Sequence, residues 1–182
     1  MEAELELQVS LAPFELHPDV PSAGADVSDH LQMSPAQLER TQSYLRGRMA
    51  EAGLSYAGNR RLIFNTHRAL LLSEWARERA PAEEWALHRR LYQAYFADQG
   101  NLADADVLRE ACAKVGLAGD AAMRQMDDPR YERRLAEYGE MAQRFGITGV
   151  PAFVIDQRYK IVGAQPLEAM LGALRQIAAQ ER

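Results

Sequence analysis

The chain has 182 residues, of which 47% are hydrophobic and 26% are charged, with a formal net charge of -5. This composition is that of an ordinary globular protein with enough apolar residues to build a core. The acidic balance argues against binding to nucleic acid or anionic lipid, because both require clustered positive charge. No apolar run approaches the ~20 residues of a membrane helix, and the acidic start MEAELELQV does not resemble a secretory signal. We therefore expect a cytoplasmic protein without nucleic-acid or membrane partners.

The cysteine and histidine residues limit the chemistry that the chain can carry out. Its one cysteine, Cys112, excludes an intrachain disulfide and a cysteine-based metal cluster. The apolar neighbours of this residue predict a buried thiol rather than a reactive one. His17, His30 and His67 lack metal-ligand spacing, and His88 lies among aromatic residues, where packing is the simpler interpretation. We expect no metal site.

Alternating apolar residues predict one strand at the start of the chain, over residues 4–12. The connection that follows, at 13–24, contains three prolines and a glycine and does not favour regular helix. The alternating residues are Leu5, Leu7, Val9 and Leu11.

From Ser34 onward the apolar residues recur with the period of α-helices. Ser34, Pro35 and Gln37 are typical of a capped helix start, and Gly53 ends this first helix. Further helices are predicted over residues 65–80, 82–98, 104–115, 119–126 and 129–145, forming a helical block.

The aromatic residues of the helix over 82–98 are predicted to lie in the core, between the helical block and a sheet. These residues are Trp85, Tyr92, Tyr95 and Phe96.

β-structure returns near the end of the chain. The β-prone runs 152–156 and 159–162, separated by Gln157-Arg158, predict a tight hairpin. Pro151 fits the first position of its strand, because proline cannot donate a ladder hydrogen bond. Pro166 then starts a terminal helix whose apolar stripe can cover one face of the sheet. This stripe consists of Leu167, Met170, Leu171, Leu174 and Ile177.

Three segments resemble DsbA-like thioredoxin-fold proteins, and most closely the FrnE-type branch of that family. They are GVPAFVIDQRYKIVGAQP (149–166), PFELHPDVPSAG (13–24) and LYQAYFADQGNLADADVL (91–108). The resemblance runs from about residue 5 to 177 and implies an α/β fold: a thioredoxin-like (DsbA-type) sheet with a large all-helical insertion, lacking the first β-α unit. It implies an incomplete thioredoxin-like domain at 1–30 and 147–182, with the helical insertion domain at 31–146.

Family members carry a strand, a Cys-x-x-C motif and a helix upstream of the strand that begins here at Glu4. In the family, a thiolate at the helix N-terminus attacks the substrate disulfide, and the second cysteine resolves the mixed disulfide. The sequence given contains neither thiol of this pair, so we expect no catalytic residue and no redox activity of this chain by itself. Three explanations stay open: a fragment, which we favour, closure of the two flanking strands on each other, or a gap filled by a second copy in a homodimer.

The resemblance assigns a substrate-binding role to the loop Thr148, Gly149, Val150 and Pro151. In the family the corresponding X-Pro bond is cis, and the residue before the proline pairs through its backbone with an extended substrate or glutathione. Carried over, Val150 supplies those hydrogen bonds and Pro151 holds the shape of the loop. The resemblance also leaves open that part of the aromatic set of the helix over 82–98 lines a substrate groove rather than the core. The implied partner is a thiol- or disulfide-containing protein or a small thiol.

Three functions compete. The first is that of a DsbA/FrnE-like thiol-disulfide oxidoreductase, and the GAQP segment favours it. The second is that of a kappa-class glutathione transferase or chromene-carboxylate isomerase, which uses glutathione as its cofactor. The first function requires no cofactor. The third is a redox-silent peptide-binding protein that keeps the loop.

Overall fold

The computed structural model describes residues 5–180. These form two compact units: Pro13–Glu137 is one, and the described residues up to Ala12 together with those from Tyr138 onward form the other. The predicted domains, 1–30 with 147–182 and 31–146, stay a prediction, because compactness alone does not define where an insertion begins. Within the described residues, no helix has both the length and the apolar character needed to cross a bilayer.

The Pro13–Glu137 unit is mainly helical, as its sequence predicts. Every predicted helix of the block is confirmed, with its ends within two residues of the predicted positions. Three short elements were not predicted, namely β1 (Ala25–Asp26), α1 (Val27–His30) and β2 (Leu62–Ile63). The two strands pair antiparallel, with Ala25 opposite Ile63. The elements are β1 (Ala25–Asp26), α1 (Val27–His30), α2 (Pro35–Glu51), β2 (Leu62–Ile63), α3 (His67–Arg79), α4 (Glu84–Phe96), α5 (Ala105–Lys114), α6 (Gly119–Gln125) and α7 (Pro129–Arg144), which begins in this unit.

The start of α2 shows how local sequence determines these helices. The Ser34 hydroxyl accepts the Gln37 N–H at 3.3 Å, and the Gln37 side-chain oxygen accepts the Ser34 N–H at 2.8 Å. Two backbone donors that have no partner inside the helix are thereby satisfied. The predicted capping box is confirmed.

The core of this unit lies where α3 to α6 and the first turn of α7 meet. Leu72, Leu87, Leu108 and Met126 have no exposed surface, and Tyr131 is 1% exposed. Burial of such apolar surface is the main favourable contribution to folding.

The predicted burial of the α4 aromatic residues is wrong for two of them. Trp85 is 46% exposed and Tyr92 is 54% exposed. The face of α4 that enters the core instead carries Leu87 and Leu91. Trp85 and Tyr92 flank His88 on another face, where the His88 and Tyr92 ring centroids lie 4.8 Å apart. The half-buried aromatic residues of this helix are Tyr95 and Phe96.

The second unit contains the predicted hairpin and terminal helix. Strands β3 (Ala152–Ile155) and β4 (Tyr159–Val162) pair antiparallel, and helix α8 (Leu167–Gln180) follows. The hairpin is confirmed, but its turn comprises residues 156–158 rather than Gln157-Arg158 alone. Asp156 adopts φ 48° and so belongs to the turn, since Asp tolerates the left-handed region better than most residues.

The strand predicted over residues 4–12 is wrong for the positions that the structure describes; position 4 lies outside them. Residues 5–12 have no regular secondary structure, and Leu7 and Val9 are 56% and 63% exposed. Within residues 5–180, the strand pairings are β1 with β2 and β3 with β4. Alternation alone does not form a strand, because the backbone also needs a hydrogen-bonding neighbour.

We expect Leu87→Ala to lower the free energy of unfolding of the full chain by about 2–5 kcal/mol, because it leaves a cavity in the α4 core. Leu54→Ala is the matched control in the same unit, since Leu54 is 55% exposed. That control is expected to change stability by less than about 0.5 kcal/mol. Urea unfolding followed by far-UV circular dichroism measures both variants, and equal effects would contradict the assigned core.

Candidate substrate-binding loop

The loop at residues 148–151 begins where α7 ends. Gly146 takes φ 59° and donates its N–H to the Gln143 carbonyl at 3.0 Å. The Ile147 N–H bonds the Ala142 carbonyl at 2.8 Å. Glycine in the left-handed region is the common way to end a helix. The chain therefore leaves α7 with the Ala142 and Gln143 carbonyls satisfied.

Lys160 on β4 fixes this helix end to the hairpin. Its ammonium donates to the Phe145 carbonyl at 2.6 Å and lies 3.4 Å from the Gly146 carbonyl oxygen. A cation is also favourable at a helix C-terminus, where the helix dipole is negative. The position of the loop start is thus tied to β4.

The other end of the loop is closed by backbone hydrogen bonding. The Gly163 N–H donates to the Pro151 carbonyl at 2.8 Å. The next residues, Ala152 and Val162, lie opposite each other in the ladder. The loop is therefore held at both ends, by Lys160 before it and by Gly163 after it.

Val150 projects from this loop. Its surface is 56% exposed, and the peptide bond that joins it to Pro151 is cis. Within residues 5–180, neither its N–H nor its carbonyl makes a hydrogen bond. Thr148 and Pro151 are exposed and Gly149 is half-buried. The four residues assigned by resemblance therefore form one accessible surface with an unpaired backbone donor and acceptor.

Cys112 lies in the other unit, on α5, and has no exposed surface. Burial raises the pKa of its thiol to about 11. The reactive species in thiol chemistry is the thiolate, so at neutral pH this residue stays a thiol among apolar neighbours. The predicted burial of Cys112 is confirmed.

The structure separates the histidines by environment. His88 packs between Trp85 and Tyr92, as predicted, and desolvation lowers its pKa. The His17 and His30 ring centroids lie 5.1 Å apart. The pKa of His17 is lowered by desolvation and by the neighbouring His30. Among residues 5–180, no group of three or more His, Cys, Asp or Glu side chains is arranged to hold a metal ion.

Two features of the described residues were missed by sequence reasoning. In the sequence, the role of Lys160 was indicated only weakly, by a single cation inside a β-prone run. His67 contacts Glu15 and Glu132, which are 52 and 65 positions away in the chain. No local pattern links residues so far apart.

We expect Lys160→Met to loosen the start of the loop, because it removes the donor to the Phe145 carbonyl while keeping a side chain of similar length. Amide hydrogen exchange at Gly146 and Ile147, whose N–H groups donate to the Gln143 and Ala142 carbonyls, is expected to accelerate about threefold to tenfold, because one hydrogen bond that holds this segment is lost. Lys114→Met makes the same chemical change on α5 and is the control, with unchanged exchange at the loop. Identical exchange in the two variants would show that Lys160 does not hold the loop.

Comparison with known proteins assigns this fold. The sequence model of the family described as DSBA-like thioredoxin domain matches residues 1–175. A crystal structure described as a probable DsbA oxidoreductase from Streptomyces coelicolor is 30% identical, with a TM-score of 0.82 over 93% of this chain and 74% of that chain. None of the proteins with curated functions matches this chain.

A second solved structure supports the fold alone. It is described as a candidate protein disulfide isomerase from Nitrosomonas europaea and is 16% identical, with a TM-score of 0.66 over 82% of this chain and 78% of that chain. Together with the family match, the helical block and the hairpin place the chain in the DSBA-like thioredoxin-domain family, with an α/β, DsbA-like thioredoxin fold.

Proposed function

We propose that this chain is a FrnE-type member of the DsbA-like thiol-disulfide oxidoreductase family and that its loop at residues 148–151 holds the substrate. The observation that carries the proposal is the backbone of Val150. It offers one donor and one acceptor that no other described residue uses. Because Lys160 and Gly163 hold the loop at its two ends, little ordering of the loop is required when a substrate binds.

An extended peptide suits this loop. Its own N–H and carbonyl groups pair with those of Val150, as in other cases where a peptide adds to a protein's exposed backbone. Such hydrogen bonds do not depend on the side chains of the substrate. The substrate class that we propose is therefore a thiol- or disulfide-containing protein segment, or a small thiol with a peptide backbone such as glutathione.

The thiol chemistry itself is not assigned to these 182 residues. Disulfide exchange requires a thiolate that attacks one sulfur while the other sulfur leaves, and then a second thiol that resolves the mixed disulfide. The sequence has one cysteine, and burial keeps its pKa near 11. We propose that the chain by itself is redox-inactive. A cytoplasmic location, the absence of nucleic-acid and membrane partners, and a homodimer stay predictions.

We expect the purified 182-residue chain to give no insulin reduction above background in the presence of dithiothreitol. The physical reason is that Cys112 is inaccessible and has no resolving thiol. The Cys112→Ser variant is the matched control and should give the same background rate. Turnover by the chain that survives in Cys112→Ser would refute the proposed division between binding and chemistry.

We expect oxidised glutathione to bind at the loop, with shifts in the amide NMR signals of residues 148–150. Val150→Pro deletes the backbone donor and should weaken binding about twofold to tenfold, as for one hydrogen bond. Val150→Ala keeps the donor and is the control, with affinity close to that of the original chain. Binding that Val150→Pro leaves intact would mean that this backbone does not hold the substrate.

The same NMR titration is also carried out with reduced glutathione. A glutathione-dependent transferase or isomerase uses the reduced thiol as its cofactor, whereas the oxidoreductase proposal requires recognition of the disulfide. Tighter binding of the reduced form at 148–150 would favour the transferase or isomerase over our proposal.

A further inference from the structure

One histidine joins two distant parts of the Pro13–Glu137 unit. The His67 Nδ1 atom lies 3.2 Å from a carboxylate oxygen of Glu15, and its Nε2 atom lies 2.9 Å from one of Glu132. Glu15 belongs to the segment before β1, His67 is the first residue of α3, and Glu132 is in the first turn of α7. A single imidazole ring therefore contacts three separate pieces of the chain.

The backbone around His67 holds the ring in this place. The side-chain oxygen of Asn65 accepts a hydrogen bond from the backbone N–H of His67 at 2.9 Å. The Asn65 amide group in turn donates to the Val20 carbonyl at 3.0 Å and lies 3.4 Å from the Pro18 carbonyl. The segment 65–67 thus contacts the chain after Pro13 through two side chains, those of Asn65 and His67.

Both contacts of the ring depend on its protonation state. A carboxylate only accepts hydrogen bonds, and a neutral imidazole has one N–H donor and one acceptor nitrogen. Neutral His67 can donate to Glu15 or to Glu132, but not to both. The imidazolium has two donors and satisfies both carboxylates. With both carboxylates ionised, only the protonated ring makes a hydrogen bond at each of the two contacts.

The surroundings of the ring agree with this geometry. Desolvation of the half-buried side chain lowers the pKa of His67, but hydrogen bonds to Glu132 and Glu15 and their negative charges raise it, and the net shift is upward. The charged groups that act on the ring are Glu15, from the segment before β1, and Glu132, from α7. Each lies on a different element, so the ring responds to the position of both.

We propose that His67 is a pH-sensitive tie that fastens the two segments through which the chain enters and leaves the Pro13–Glu137 unit. Glu15 follows closely after the unit begins at Pro13, and Glu132 precedes its end at Glu137. Protonated His67 holds both segments to the start of α3. Loss of the proton releases one of the two carboxylates. This inference does not depend on the proposed substrate-binding role of the loop.

The direction of the effect follows from linkage. A histidine whose pKa is raised in the folded state contributes stability that is fully present below its ordinary value of 6.5 and lost as pH rises through the folded pKa. This contribution to stability is confined to the segments around the ring, because the three side chains are partly exposed. The exposed fraction is 34% for His67, 25% for Glu15 and 50% for Glu132. The release is therefore expected in the two tied segments rather than as global unfolding.

The test is an NMR titration of the isotope-labelled 182-residue chain, combined with amide hydrogen exchange corrected for the intrinsic pH dependence. We expect His67 to titrate above 6.5 and to return toward that value in the double variant Glu15→Gln, Glu132→Gln. Exchange at the hydrogen-bonded amides of Val20 and Tyr131, which donate to the His17 and Asp128 carbonyls, should accelerate about threefold to tenfold as pH rises through the His67 pKa. His67→Gln should remove this step.

His88→Gln is the matched control, because His88 is another half-buried histidine of the same unit and makes no carboxylate hydrogen bond among the described residues. The His88→Gln variant should still show the acceleration of amide exchange as pH rises through the His67 pKa. Titration of His67 at or below 6.5 would overturn the proposal, and so would a step that is absent from the original chain or that persists in His67→Gln. If His67→Gln does not fold, the titration of the original chain decides the question alone.

Discussion

The hydrogen bond from the Gly163 N–H to the Pro151 carbonyl, at 2.8 Å, is the interaction on which the candidate site depends. It marks where the pairing of β3 with β4 stops, and the next residue toward α7 is Val150. Backbone polar groups require a partner in the protein or in the solvent. Where this ladder ends therefore determines which backbone groups remain available for a ligand.

The two units are stabilised in different ways. In the Pro13–Glu137 unit, apolar side chains such as Leu72 and Leu108 are removed completely from solvent. In the other unit, α8 has no buried residue, and the β4 side chains alternate between half-buried and exposed. With so little apolar burial there, defined contacts such as that of Lys160 with the Phe145 carbonyl have a larger share in fixing the local structure.

Local patterns predicted the parts of the fold that local interactions form. The capping box of Ser34 and Gln37 marks the start of α2 because its hydrogen bonds span three residues. The hairpin was predicted for the same reason, with an error of one residue at Asp156, whose φ of 48° the β-prone pattern did not indicate. The strand predicted at 4–12 failed over the described positions, because a strand also needs a neighbour that its own residues do not specify.

The candidate site likewise has a part that the sequence indicated and a part that it did not. Spacing and composition did not indicate a function for residues 148–151, and only the resemblance to DsbA-like proteins assigned one. The contacts of Lys160 and His67 depend on which segments meet after folding. Residues separated by 52 or 65 positions leave no periodic signal in a single sequence. Long-range polar contacts are thus one part of this protein that its sequence did not predict.

Family membership constrains the fold of this chain more than its chemistry, because function resides in particular sites on a fold. The proposed binding through the Val150 backbone needs only a loop of the right shape, and the side chains of residues 148–150 contribute no charge and no thiol. Thiol exchange needs two accessible sulfurs with suitable pKa values. These requirements are physically separate, so the binding that we propose for the loop does not require a reactive thiol in the same chain. In our proposal the loop therefore accounts for recognition alone, and the buried thiol of Cys112 takes no part in it.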